Sequence, residues 1–229
     1  MEEPMLANKK AKIFISHSSY DKDYANAVFE LLGNIGLNEK QIFCSSVPGC
    51  GIPLDQDIYT YIKQQFRDYN MHVIFVLSDN YYQSPACLNE MGATWILQNR
   101  YTSILLPGFE FKDIEGAINP RKMSLKLDNR STEVKERLGK LKDSILEEFS
   151  LPSLTDVRWE QKKDLFLDKI NKCPKANSLS YRDNREVSSY LSKNEVNALI
   201  DNKLSQQPKN YIESSQPAGG KDGDTWDQI

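Results

Sequence analysis

The sequence predicts a flavodoxin-like, doubly wound α/β domain with a parallel sheet of about five strands, followed by a C-terminal helical and partly disordered extension. Two observations carry this expectation. Short runs rich in Ile, Val and Phe, at residues 12 to 16 (KIFIS), 41 to 46 (QIFCSS), 72 to 78 (HVIFVLS) and 103 to 108 (SILLPG), alternate with segments whose apolar residues recur at helical spacing. The runs are apolar throughout instead of alternating with polar residues, which suits strands covered on both faces by right-handed crossover helices.

In order along the chain, residues 21 to 33 place Tyr24, Val28, Leu31 and Leu32 on one helical face. Residues 56 to 68 do the same with Ile58, Ile62 and Phe66, and residues 85 to 98 with Leu88, Met91 and Trp95. Met123 to Leu127 read as a fifth strand, ahead of a helix at 132 to 149 built on Val134, Leu138, Leu141 and Ile145. A further amphipathic segment at 156 to 171 carries Trp159, Leu165, Phe166 and Ile170 and is expected to pack on the domain. The divisions read from this are a domain at 10–150, a helical extension at 151–177 and a polar tail at 178–229. The tail holds a short helical pattern at 193 to 206, but its composition buries too little to fold alone. Tyr211 and Trp226 are isolated aromatics in it that suit anchoring a protein partner.

Composition narrows the function. With 29 Lys and Arg against 32 Asp and Glu the net charge is -3, which argues against nucleic acid as a partner. The apolar runs fall far short of the roughly 18 residues a membrane span needs, and no signal-like segment opens the chain, so a cytoplasmic protein without a membrane partner is expected. Four cysteines at irregular spacing and two histidines offer no structural zinc pattern and suit reduced thiols, Cys44 and Cys87 as small buried hydrophobes.

Ligands of open parallel sheets bind beyond the carboxyl ends of the strands, where strand order reverses. Ser16, the Ser45 and Ser46 pair, and Ser78 end predicted strands there; they either line one crevice or simply cap and turn the chain. Ser84 and Pro85 make a good helix start, which puts Glu90 within two turns of a helix N-terminus, flanked by Ala86, Gly92 and Ala93. A carboxylate on a surface stripped of bulky side chains has room for a ligand; the plainer alternative is a solvated glutamate on a closely packed helix. The loop PGCGIP, residues 48 to 53, has only a G-x-G and follows the second run, so it is no dinucleotide fingerprint. It reads as a flap or interaction surface, or as an ordinary turn.

The segments KIFISHSSYDKDYA, IFCSSVPGCGIPLDQDI and SPACLNEMGATW, in this order, resemble Toll/interleukin receptor (TIR) domains, most of all the soluble bacterial ones. The likeness covers about residues 10 to 150, including LPGFEFKDIEGAI. It implies cleavage of NAD at the nicotinamide ribose bond by hydrolysis or cyclisation, with Glu90 of the S-x-x-C-x-x-E pattern (Ser84, Cys87, Glu90) as the catalytic residue. It places nucleotide contacts on Ser16, His17, Ser18, Ser19 and Asp21 and on Ser45 and Ser46, and self-association on the loop at 47 to 55. NAD would be substrate rather than cofactor, with no metal required, and the bacterial relatives point to antiphage defence. Ala86 stands where many members have tryptophan, which bears on nicotinamide stacking, and Asp55 replaces a common glycine. The competing expectations are a noncatalytic TIR adaptor that acts by assembly, and a deoxyribosyltransferase-like enzyme, which would leave the PGCGIP loop unexplained.

Overall fold

A computed structural model describes residues 9–174 apart from 123, 129 and 130; Met123, the Ile58 side chain and the whole segment from residue 175, with its predicted helix at 193 to 206, Tyr211 and Trp226, lie outside the described residues. Five strands, β1 (Ala11–Ser16), β2 (Ile42–Phe43), β3 (Asn70–Leu77), β4 (Arg100–Leu105) and β5 (Leu125–Lys126), form one sheet in the order β2-β1-β3-β4-β5, every pair parallel. This is the flavodoxin-like arrangement, and its order reverses between β1 and β3. The helices are α1 (Lys22–Asn34), α2 (Ile58–Asp68), α3 (Asp79–Tyr82), α4 (Pro85–Ile96), α5 (Thr132–Glu148) and α6 (Asp156–Lys172).

Alternate residues of each central strand feed two separate cores, which is why the runs are apolar throughout. Ile13 and Ile15 of β1 join Ile74 and Val76 of β3 under α1, α5 and α6. Phe14, Val73, Phe75 and Leu77 face the other way, toward Phe66 of α2, Tyr81 of α3 and Cys87 and Met91 of α4. Ser16 shares the parity of Phe14, so its side chain lies on the α2, α3 and α4 side at the carboxyl end of β1, fully buried. At the opposite end, the imidazole of buried His72 pairs through Nδ1 with Glu148 of α5 at 2.6 Å and through Nε2 with Thr102 of β4 at 2.9 Å.

Three expectations need correction. The second strand does not run to Ser46: it stops at Phe43, because Cys44 N–H bonds the Cys50 carbonyl at 3.0 Å and the chain turns on itself through Val47. On α4 the buried face is Cys87, Met91 and Thr94, while Trp95 is 65% exposed and Leu88 lies at the surface. Thr94 can be buried because its hydroxyl donates to the Glu90 carbonyl at 2.8 Å. On α6, Leu165 is exposed and Lys163 takes a buried place instead, its ammonium bonded to Glu160 at 2.5 Å.

The expected packing of the last amphipathic segment holds: Trp159, Phe166, Leu167 and Ile170 of α6 share one core with Tyr24, Val28 and Leu32 of α1. Asp55 adopts φ +67°, a left-handed conformation that a side chain disfavours, which accounts physically for a glycine at that point in the resembling family. The phase of α6 can be checked by urea unfolding. Phe166→Ala should cost about 3–5 kcal/mol and Leu165→Ala about 0.5 kcal/mol or less; equal costs would reject the assigned face.

Candidate functional site

The carboxyl ends of β1 and β3 diverge because the chain leaves them toward opposite faces of the sheet, α1 to one and α3 and α4 to the other. α4 starts on this rim. Ser84 caps it by accepting from Cys87 N–H at 3.3 Å, and Pro85 occupies the first helical position, where a missing N–H costs nothing. The register set by this start turns Cys87 into the core and brings Glu90, one turn on, over the end of β1.

There the Ser16 hydroxyl and Glu90 Oε2 lie 2.6 Å apart, a contact between residues 74 positions distant in sequence. Ser16 Oγ also lies 2.9 Å from the hydroxyl of Tyr81, which in turn donates to the Cys87 carbonyl at 3.0 Å. Burial pushes the Glu90 carboxyl up to about 7 from its usual 4.5, and the Ser16 hydroxyl only partly offsets that. The Cys87 thiol is pushed up to about 11, chiefly by burial, so it is a packing group rather than a nucleophile.

A second polar knot fixes the loop after β1. Ser78 caps α3 by accepting from Tyr81 N–H at 3.1 Å and donates to Asp21 Oδ2 at 2.5 Å; Asn80 donates to the other oxygen of Asp21 at 2.9 Å. Asp21 is buried with both oxygens occupied, and desolvation raises its pKa despite these donors. It therefore acts here as the tie that holds the loop against α3. His17 Nδ1 lies 3.1 Å from the Ile15 carbonyl and must donate to it, which leaves Nε2 as an acceptor in the neutral ring; burial lowers its pKa and favours that neutral form. Ser18 is buried and Ser19 exposed on the turn between β1 and α1.

The structure thus gathers Ser16, His17, Ser18 and Asp21 around the rim that Glu90 overhangs. It does not bring Ser46 to Glu90: that hydroxyl donates to Asn26 of α1 at 2.9 Å, on the other side of the sheet, and Ser45 is exposed. Tyr81 and Asn80 were not singled out in the sequence. The helical cap at Ser78 was the available signal, since it starts a short helix that carries both inward. The loop after β4 packs on α3 and α4, with Tyr82 stacked on Phe109 at 5.6 Å and Gly116 against Met91, where an added Cβ would come within 3.2 Å of the sulfur. Among the described residues no group of His, Cys, Asp and Glu is arranged to hold a metal, and no helix is long and apolar enough to cross a membrane. A separate hollow of about 620 Å³, lined by Gly36, Leu154, Arg158 and Lys162 among others, contains no carboxylate, thiol or imidazole.

No family model matches the chain. It is 43% identical over 159 residues to an uncharacterized protein, YddK, of Bacillus subtilis (strain 168); the match takes in 69% of this chain and 57% of that protein. The chain therefore spans less than two thirds of that relative's length, and the relative's printed description assigns no activity.

Glu90 makes a prediction about stability. Its folded pKa lies above the unfolded value, so the native state holds the proton more tightly, and the stability this gives is complete below about pH 4.5 and is lost as pH rises through about 7. Glu90→Gln, which keeps the shape without the charge, should melt at a higher temperature than wild type at pH 8 and at nearly the same temperature at pH 4.5. A melting difference that does not change between these pH values would show that the carboxyl is not held in this environment.

Proposed function

We propose that the chain is a TIR-type enzyme that cleaves NAD at the bond between nicotinamide and ribose, with Glu90 as the catalytic residue. The observation that supports this best is a half-buried carboxyl at the carboxyl end of β1, where strand order reverses, held by Ser16 at 2.6 Å and raised to about 7.

In this reading nicotinamide leaves with the electron pair of the broken bond and passes from cationic pyridinium to neutral pyridine, so it needs no acid. Positive charge develops on the ribose, spread over C1′ and the ring oxygen. The ionised Glu90 stabilises that charge from within hydrogen-bond reach of the ribose hydroxyls, as carboxylates do in glycoside cleavage. Water then adds to C1′, and a pKa near neutrality suits Glu90 to take the proton that water loses. The family resemblance assigns the nucleotide to the loop after β1, where His17, Ser16 and Ser18 are buried in the unliganded chain. An antiphage signalling role would follow from the same family resemblance.

One feature favours the noncatalytic adaptor as a second reading. Leu54, on the Gly/Pro loop between β2 and α2, is 93% exposed, the kind of apolar side chain that joins neighbouring domains. Assembly through this loop is compatible with either reading, and chemistry separates them. Purified protein incubated with NAD should release free nicotinamide, measured by chromatography. Glu90→Gln should lower the rate by about 100-fold or more while circular dichroism stays unchanged. A folded Glu90→Gln protein with wild-type turnover would reject the assignment of Glu90, and a wild type that releases no nicotinamide at high concentration would favour the adaptor.

A further inference from the structure

The Tyr81 hydroxyl is fully buried and makes two polar contacts, to Ser16 at the end of β1 and to the Cys87 carbonyl. Glu90, Ser16, Tyr81 and the Cys87 carbonyl are joined by three short contacts, of 2.6, 2.9 and 3.0 Å. Ser16 and Tyr81 supply one hydrogen each, and a backbone carbonyl supplies none. With Glu90 ionised, three contacts share two hydrogens. Ser16 then donates to the carboxylate, and Tyr81 can satisfy either Ser16 or Cys87 but not both, leaving two oxygens in close contact with no proton between them. With Glu90 protonated the count closes: Glu90 donates to Ser16, Ser16 to Tyr81, and Tyr81 to Cys87.

We propose that Tyr81 is a positioning residue of this site, which acts through Ser16 to keep the proton on Glu90 in the unliganded protein and so sets the pH at which the carboxylate becomes available. The assignment of Glu90 to NAD cleavage rests on the reading above; the hold of Tyr81 on the proton rests on the geometry alone. The titratable groups around Glu90 are Tyr81 from α3 and Cys87 from its own helix and, beyond Ser16, His17 and Asp21 from the loop after β1. Burial drives Tyr81 well above its ordinary 10 and Cys87 up to about 11, and it favours neutral His17, so these three keep their protonation state near pH 7 while Glu90 changes its own.

The direction of each substitution follows from the count. Tyr81→Phe keeps the ring that packs on Phe75 and removes the oxygen that Ser16 donates to in the protonated state. Ser16 is then free to donate to the carboxylate without an oxygen clash, so the Glu90 pKa should fall, by about half to one pH unit for one neutral hydrogen bond. Ser16→Ala removes the only donor to the carboxylate among the described residues, so the pKa should rise. In the Ser16→Ala background Tyr81→Phe should have no further effect, since the link between Tyr81 and Glu90 is gone.

The test is a carbon-13 carboxyl titration by NMR on full-length protein labelled at glutamate, with the Glu90 signal assigned by its loss in Glu90→Gln. The expected result is a midpoint that falls in Tyr81→Phe, rises in Ser16→Ala and is equal in Ser16→Ala and the double variant, each with an intact near-UV spectrum. The acid limb of the pH profile for nicotinamide release should move with the midpoint in Tyr81→Phe, whereas a purely structural role would lower the rate at every pH and move neither. An unchanged Glu90 midpoint in folded Tyr81→Phe overturns the proposal. A wild type that releases no nicotinamide overturns the reaction instead, and the titration still decides the role of Tyr81.

Discussion

The 2.6 Å contact between Ser16 and Glu90 is where the fold and the proposed chemistry meet. It joins the end of β1 to a helix that follows β3, across the point where strand order reverses, and it requires a small hydroxyl in a position otherwise suited to an apolar residue. A Val or Leu at Ser16 would fill that space with apolar surface and leave the half-buried carboxyl without its donor, a cost of about 1–3 kcal/mol. The second knot, in which Ser78 and Asn80 hold Asp21, fixes the loop that begins at His17, so the rim facing Glu90 is built from ties on both of its sides. Each tie links segments more than fifty positions apart, and both depend on the parallel pairing that sets β1 beside β3.

These contacts stabilise the fold only in part. Burial works against Glu90 as an ion, and the pair of hydroxyls beneath it satisfies the protonated carboxyl better than the charged one. The site therefore disfavours the ionised form of Glu90, the form the proposed chemistry uses, a common compromise where a carboxyl must act as an acceptor for protons or developing charge. The apolar cores offset that cost. One lies beneath α1, α5 and α6 and the other beneath α2, α3 and α4, and the second presses Tyr81 between Phe75 and Tyr82, which fixes its hydroxyl in place.

Much of this was legible before the structure, and the parts that were not share a physical reason. The four strong runs and the helices around Val28, Phe66 and Leu138 were readable because burial on both faces leaves a dense apolar signal. Ser84 and Pro85 announced the start of α4 and so the approximate place of Glu90. The face of α4 was less legible because Leu88 and Trp95 are more hydrophobic than Cys87 and Thr94, yet the start at Ser84 turns Cys87, Met91 and Thr94 toward the sheet. The length of β2 was misread because Cys44 is as apolar as a strand residue, and only the bond to Cys50 reveals the turn. Of the strand-end serines, sequence could not distinguish Ser16, which meets Glu90, from Ser46, which meets Asn26, because the choice depends on which side of the sheet each hydroxyl takes. For Tyr81 the one local signal is the cap at Ser78, and it does not reach the contacts that matter, since Ser16 and the Cys87 carbonyl meet Tyr81 only in the folded chain.

Whether a protonated Glu90 meets the nicotinamide ribose, as proposed, can be read by calorimetry of a carbocyclic NAD analogue that cannot be cleaved. Its pyridinium charge beside Glu90 favours the carboxylate, so binding at pH 6 should expel up to about one proton per analogue. The measured enthalpy should then vary with the ionisation enthalpy of the buffer, and the variation should vanish in Glu90→Gln. Binding whose enthalpy is the same in every buffer for wild type, or a buffer dependence that survives in Glu90→Gln, would contradict the account.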